Sequence, residues 1–324
     1  MLTDRFARND GAKTDCSNLG NYCGGGFVGL KNNLDYIQGM GFNAIWISPV
    51  VDNYDGGYHG YWARDMFSIN RHFGTEQQFK DLISACHARN IWVMVDVVAN
   101  HMGNTNQNYS QNKPFNESSH YHDYCIISDE DFRTKNTYRI ENCRLAGLAD
   151  LKQENDYVKG QLLSWIKNLI QTYKIDGIRI DTVPEVPKSF WSQFKQSAGT
   201  YTIGEVFDGD MGYLAGYLGS LDAVLNYPFF YWVRDTVFNG KDMTNLRLYY
   251  NEWGKKISGD KLNYLGNFID NHDNARVLSW SGNWDDKKKK FKTVNAMALT
   301  SVGIPIIYYG SEQYFAGGND PKNR

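Results

Sequence analysis

Charged and polar residues that could do chemistry gather where apolar runs end. "IDGIRID" ends in Arg179 and Asp181, "YTIGEV" reaches Glu205, "LGNFIDN" leads into His272 and Asp273, and "IWVMVDVV" carries Asp96 and is followed by Asn100 and His101. Opposite charges at the end of a buried strand are costly unless they are paired or used. Singly, each residue has an ordinary reading: Asp181 as the partner of Arg179, Glu205 as a cap for "DGDMGY", His272 as a satisfied core histidine. Together these readings fail, because one ion pair leaves the remaining carboxylates without a reason. Carboxylates on opposite sides of a bond are what glycoside hydrolysis needs, and a retaining enzyme holds its pair about 5 Å apart, one ionised and one protonated. Arg179, two residues before Asp181 and on the same face of the strand, keeps that carboxylate ionised. Neighbouring negative charge and partial burial keep Glu205 protonated.

Such a rim needs a scaffold of parallel strands. Seven apolar runs, at 44–49, 91–98, 175–181, 201–206, 222–227, 265–271 and 303–310, alternate with helical patterns at about 29–40, 75–90, 155–174, 187–198, 229–254 and 286–301. Alternation of this kind builds βαβ units. With "LTDRF" as the end of an eighth strand, the runs predict a (β/α)8 barrel, incomplete at both ends, over 1–101 and 155–324. The active site of such a barrel lies at the C-terminal ends of its strands. An open doubly wound sheet would show a phosphate-binding glycine turn after its first strand, and none is present. Residues 102–154, irregular and rich in Asn, Ser, Tyr and His, follow the third strand and predict an inserted subdomain.

The 324 residues carry a formal charge of −2, which gives no electrostatic case for nucleic acid or an anionic membrane. The basic run Lys287–Lys290 lies beside Asp285 and Asp286 and reads as a solvated helix start. No apolar run reaches the roughly 20 residues that span a bilayer. Cys16 and Cys23 bracket one loop, Cys125 and Cys143 another, and Cys86 stands in a helical pattern, which predicts disulfides and an oxidising compartment. Asn108 and Asn116 are glycosylation acceptors. No signal peptide precedes "LTDRFARND", so the natural chain is expected to start further upstream. The expected state is a secreted monomer.

"DVVANH" (96–101), "GIRIDTV" (177–183), "GEVFDGD" (204–210) and "FIDNHDN" (268–274) resemble, in order and interval, the four sequence regions of the α-amylase family, glycoside hydrolase family 13. "LTDRFAR", "YCGG", "LDYIQGMGF", "YHGYW" and "AGGNDPKNR" are similar to its secreted fungal-type members. The resemblance implies Asp181 as nucleophile, Glu205 as general acid/base and Asp273 as the third carboxylate, with Arg179 beside the nucleophile and His101 and His272 on the sugar. It implies that Tyr61 and Trp62, with Tyr58 and His59, hold sugar rings, and that Asp320 and Arg324 lie further along a glucan groove. It also implies a calcium ion between barrel and insertion, ligated by Asn100, Asp150 and the carbonyls of Glu141 and Glu185. An amide, a carboxylate and carbonyls are the oxygen donors calcium prefers.

There are departures from the family pattern. Pro184 and Glu185 stand where this group usually has Lys-His, which touches the leaving-group subsite; one family disulfide is absent; and Cys86 replaces an apolar residue. The chain stops before the eighth helix and the C-terminal β-sandwich usual in the family. The apolar strand "GIPIIYYG" then has an outward face for which no cover is supplied, so the chain alone is expected to be poorly stable and its natural form to continue past Arg324. The implied activity is retaining endo-hydrolysis of α-1,4-glucosidic bonds in starch, glycogen or maltooligosaccharides. A sister glucosidase or glucanotransferase shares all four motifs, and an inactive truncated glucan-binding paralogue is the alternative from another class.

Overall fold

A computed structural model describes residues 1–13, 16–103 and 106–324. The chain forms two compact units, Met1–Thr202 and Ile203–Arg324. In the first, β1 (Ala44–Ile47) is followed by a hairpin of β2 (Val51–Asn53) and β3 (Ala63–Ile69), then by β4 (Trp92–Val97). β5 (His101–Met102) and β6 (Ala149–Asp150) open and close the insertion, and β7 (Gly177–Ile180) follows. β1, β4 and β7 run parallel, with Ala44 opposite Trp92 and Met94 opposite Gly177. All four residues of β7 are buried, as expected for a parallel strand covered on both faces.

The helices between these strands present one apolar stripe each. In Glu76–His87 the buried residues are Phe79, Leu82, Ile83 and Cys86, spaced i, i+3, i+4, i+7, and Thr75 with Gln78 forms a reciprocal cap at its start. Helix Asp156–Tyr173 begins at the Asn155 cap and stops at Lys174, whose left-handed backbone (φ 59°) ends the hydrogen-bond ladder.

The antiparallel pairing of β5 with β6 sets His101 opposite Asp150 and Met102 opposite Ala149. The two ends of the insertion therefore lie side by side, and its interior holds short helices Asp129–Thr134 and Thr137–Asn142. Both expected disulfides are formed, Cys16–Cys23 and Cys125–Cys143, and Cys86 is free and buried.

The second unit takes up β8 (Tyr201–Gly204), which starts in the first, and adds β9 (Ala223–Val224), β10 (Gly266–Phe268) and β11 (Ile304–Ile306). Ile203 pairs with Ala223, Leu225 bridges to Gly266, and Gly266 pairs with Ile304, all in parallel. Ile304 and the nearby Leu299 and Val302 are exposed. No helix of the described residues is long and apolar enough to cross a membrane.

Local expectations fail in three places. "LTDRF" is not a strand: Thr3–Phe6 is one helical turn, and the residues before and at its start meet β1 and the residue after it, through Met1 N to Trp46 O and Thr3 N to Ser48 Oγ (3.0 Å). The Asp4 carboxylate, accepting from Cys23 N and Gly24 N, is occupied with the Cys16–Cys23 loop instead. The helix read at 29–40 begins at Phe27 and is interrupted at Asn33. The pattern at 229–254 is two helices, Tyr227–Val237 and Thr244–Lys256. Gly240 (φ 71°) turns the chain between them, and Asp242 starts the second by accepting from Thr244 N at 2.7 Å.

Candidate active site

In the first unit the site is organised around Arg179. Its Nη1 donates to Asp181 Oδ1 at 2.7 Å and to Asp96 at 2.9 and 3.1 Å, so two carboxylates share one buried guanidinium. Register makes this possible, because Asp96 on β4 stands opposite Arg179 on β7. Asp96 also accepts from Trp46 Nε1 (3.1 Å) and the Tyr61 hydroxyl (2.8 Å). Burial pushes the Asp96 carboxyl up to about 7; Arg179 opposes this and the Asp181 charge adds to it. Asp96 was recognised in the sequence only as a polar residue of the rim. The structure makes it the structural partner of Arg179 and leaves Asp181 at the strand's end.

Directly after Asp181 the backbone turns through Thr182 at φ 48°, ψ 51°. A β-branched residue there is strained by about 1–3 kcal/mol, and such strain is concentrated at functional sites. The turn Val183–Glu185 follows, with Pro184 early in it, where a missing N–H costs nothing, and Trp191 Nε1 donating to Val183 O at 2.8 Å.

His101 is buried, and burial lowers its imidazole to about 4, so it is neutral near pH 7. Its Nε2 faces the Tyr61 carbonyl at 3.3 Å and must carry the single proton, which leaves Nδ1 as an acceptor for Asn100 Nδ2 at 3.1 Å. The Asn100 side-chain oxygen then lies 3.1 Å from the Glu185 carbonyl oxygen and 3.2 Å from Asp150 Oδ1. Turning the amide over would relieve those oxygens but would require a second proton on His101. Asn100, Asp150 and Glu185 thus bring together one amide, one carboxylate and one carbonyl oxygen. Glu141 lies on the helix Thr137–Asn142, which packs on the Val183–Glu185 turn. Among the described residues no group of three or more His, Cys, Asp or Glu side chains could hold a metal.

Asp150 is also held by a residue that the sequence did not announce. His122 Nδ1 lies 2.7 Å from Asp150 Oδ2, and its Nε2 is 2.9 Å from Glu154. Burial raises the Asp150 carboxyl to about 6, with His122 opposing. His122, whose burial works against its charge, is nevertheless raised by these carboxylates. In the loop at 58–62, Tyr61 stacks near His59 (5.6 Å between centroids), Tyr58 is buried under Arg5, and Trp62 is 38% exposed, which is not a core position.

In the second unit Glu205 follows β8 and is buried, with the Tyr227 hydroxyl 3.4 Å from its Oε1. His272 Nε2 lies 3.2 Å from Asp273 Oδ2. Arg324 reaches Asp273 Oδ1 at 3.7 Å and Asp320 at 3.1 Å, so the predicted Asp320–Arg324 pair is tied to Asp273 itself. Asn323, fully buried, donates to the carbonyls of His272 (2.7 Å) and Asn274 (3.0 Å), on either side of Asp273. Gly317 makes this strap possible: a Cβ there would fall 1.8 Å from the Lys322 carbonyl oxygen. Tyr227 and Asn323 went unremarked in the sequence because their roles arise only from distant contacts.

Known proteins resemble this chain along its whole length. Residues 1–324 match the family model described as alpha amylase, catalytic domain. The chain is 41% identical over its whole length to alpha-amylase 2 of Schwanniomyces occidentalis and 41% identical to alpha-amylase 1 of Lipomyces kononenkoae. It spans 65% and 53% of the lengths of those two proteins. Among solved structures, an alpha-amylase from Malbranchea cinnamomea superposes with a TM-score of 0.92 at 38% identity, covering 99% of this chain and 70% of that one. An alpha-amylase from Geobacillus thermoleovorans, complexed with acarbose, gives 0.89 at 34% identity, covering 100% and 72%. The chain therefore belongs to the alpha-amylase family, glycoside hydrolase family 13, and carries the (β/α)8 barrel of its catalytic domain.

Proposed function

We propose that the protein is a retaining α-amylase that cleaves internal α-1,4-glucosidic bonds of starch, glycogen or maltooligosaccharides. The observation that carries this reading is the shared Arg179. A buried carboxylate whose only task is to pair with a cation does not need a competitor, and here Asp96 takes that task while Asp181 closes the strand. In this reading Asp181 attacks the anomeric carbon. The bond to the leaving oxygen breaks, its electron pair stays on that oxygen, and Glu205 gives the oxygen a proton. Glu205 then takes a proton from water as that water displaces Asp181, so both carboxyls return to their starting states. Asp273, His101 and His272 hold the sugar hydroxyls at the reacting ring, Tyr61 and Trp62 flank it, and Asp320 and Arg324 bind further along.

Calcium fits the oxygen cluster described above, with Asn100, Asp150 and the Glu185 carbonyl as donors; Glu141, on the helix packed against that turn, is proposed to add its carbonyl. When bound, the ion supplies positive charge that holds these oxygens together. The barrel comprises 1–101 and 155–324, with 102–154 as the calcium-linked subdomain. The disulfides support a secreted protein; we read it as a monomer.

Digestion of maltoheptaose followed by NMR tests the activity. The α anomer must appear first, and Glu205→Gln must abolish the signal. First release of the β anomer, or unchanged turnover by the variant, refutes the reading. Cyclic or elongated products in place of short linear ones would assign the chain to a glucanotransferase.

A further inference from the structure

A continuous hydrogen-bonded relay joins Glu205 to the loop that carries Asp273. Asn271 Oδ1 accepts from Asp273 N (3.1 Å), Asn274 N (2.9 Å) and Asn274 Nδ2 (2.9 Å). Those donors fix the amide's orientation, so the nitrogen is the end that meets the Tyr227 hydroxyl, at 3.0 Å. The phenol oxygen is thus an acceptor from Asn271, and its own proton is directed to Glu205 Oε1, 3.4 Å away. That distance is long for an O–H···O bond, as is common before substrate binds, and such bonds tighten in the complex. Tyr227 is wholly buried, with Phe207 and Phe268 packed on its ring at 4.5 and 4.9 Å between centroids. Asn226 caps the helix that Tyr227 begins.

We infer that Tyr227 and Asn271 are positioning residues that decide which oxygen of Glu205 carries the catalytic proton. With the phenol proton on Oε1, a proton there would meet another proton, so the carboxylic acid is protonated on Oε2. Oε2 is then the atom that delivers the proton to the leaving oxygen as the electron pair of the breaking bond collapses onto it. The same Asn271 amide holds the Asp273 backbone, so the acid and the third carboxylate are located by one side chain. The inference rests on the reading of Glu205 as the general acid.

The test compares kcat/KM, which reports the first covalent step, on maltoheptaose and on α-maltosyl fluoride, whose fluoride departs without a proton. Tyr227→Phe keeps the ring and its packing. Its kcat/KM is expected to fall roughly 10- to 100-fold on maltoheptaose and no more than about threefold on the fluoride. Asn271→Asp keeps the acceptor for Asp273 N and Asn274 N but turns the donor into an acceptor that captures the phenol proton, and should show the same selective loss. Equal losses on both substrates, or no loss on maltoheptaose, overturn the relay. Glu205→Gln is the control: retained turnover of maltoheptaose by that variant would refute the acid assignment itself, whereas its loss beside an unimpaired Tyr227→Phe refutes only the relay.

Discussion

Replacing Asp270 by asparagine should stabilise the protein by an amount that grows as pH rises. Asp270 is buried, its Oδ1 accepts from Val277 N at 2.8 Å, and it thereby closes the loop that carries His272 and Asp273. Its Oδ2 has no hydrogen-bond partner among the described residues. Burial raises the carboxyl from 3.8 to about 6, with the Val277 bond and Arg276 opposing. A raised folded pKa on an acid means the native state holds the proton longer than the unfolded chain does. Stability is therefore lost as pH rises from about 4 to about 6, and a shift of this size corresponds to about 3 kcal/mol above that window. Asparagine still accepts from Val277 N and carries no charge, and its nitrogen lies where the O–H of the protonated acid equally lacks a partner, so it mimics the protonated form. The variant should be about 3 kcal/mol more stable than the wild type at pH 8 and about equal to it near pH 4. Urea unfolding midpoints across this range, at fixed calcium concentration, measure the difference. A difference that stays constant with pH, or a variant less stable than the wild type at pH 8, would refute the reasoning.

Glu205→Gln should lower kcat on maltoheptaose by roughly 10²- to 10⁴-fold while glucan binding persists, as read by calorimetry with maltoheptaose. Chelation with EDTA should lower the melting temperature, and Asp150→Asn should shrink the difference between melting curves with and without calcium; coincident wild-type curves would count against the ion. Replacing both Cys125 and Cys143 by alanine opens a link across 18 residues and should cost about 3 kcal/mol in urea unfolding. A loss of under about 1 kcal/mol would show that the insertion does not depend on the link.

The strands were legible because parallel strands are written as short, mostly apolar runs, and all seven runs contain a strand, although the last, Ile304–Ile306, is partly exposed. Burial does not distinguish a strand from a helical turn over five residues, and "LTDRF" is such a turn, its Asp4 engaged by Cys23 N and Gly24 N far along the chain. The pattern at 229–254 reads as one helix only if the turn signal Asn239-Gly240 is passed over, and the positive φ of Gly240 is where the chain breaks. Asp181, Glu205 and Asp273, the carboxylates proposed for catalysis, stand out in the sequence by their type and their place after apolar runs. Their supports were not, because a hydrogen bond between Arg179 and Asp96 spans 83 positions and one between Asn271 and Tyr227 spans 44. Contacts at that separation depend on register and loop path, which no local pattern encodes. His122 is a case of the same kind: its place beside Asp150 follows from the antiparallel bridge of Tyr121 with Leu151 and the bond from His122 N to the Asp150 carbonyl at 3.1 Å.

Asn100 and His101 are consecutive in the chain and bonded to one another through their side chains. The imidazole's choice of tautomer settles which way the amide faces, and the amide faces the insertion. For directed evolution the two positions form a single unit of variation. A library that randomises either one alone would discard replacements that are acceptable only when its neighbour changes too, and saturation of both codons together is the screen that can find them.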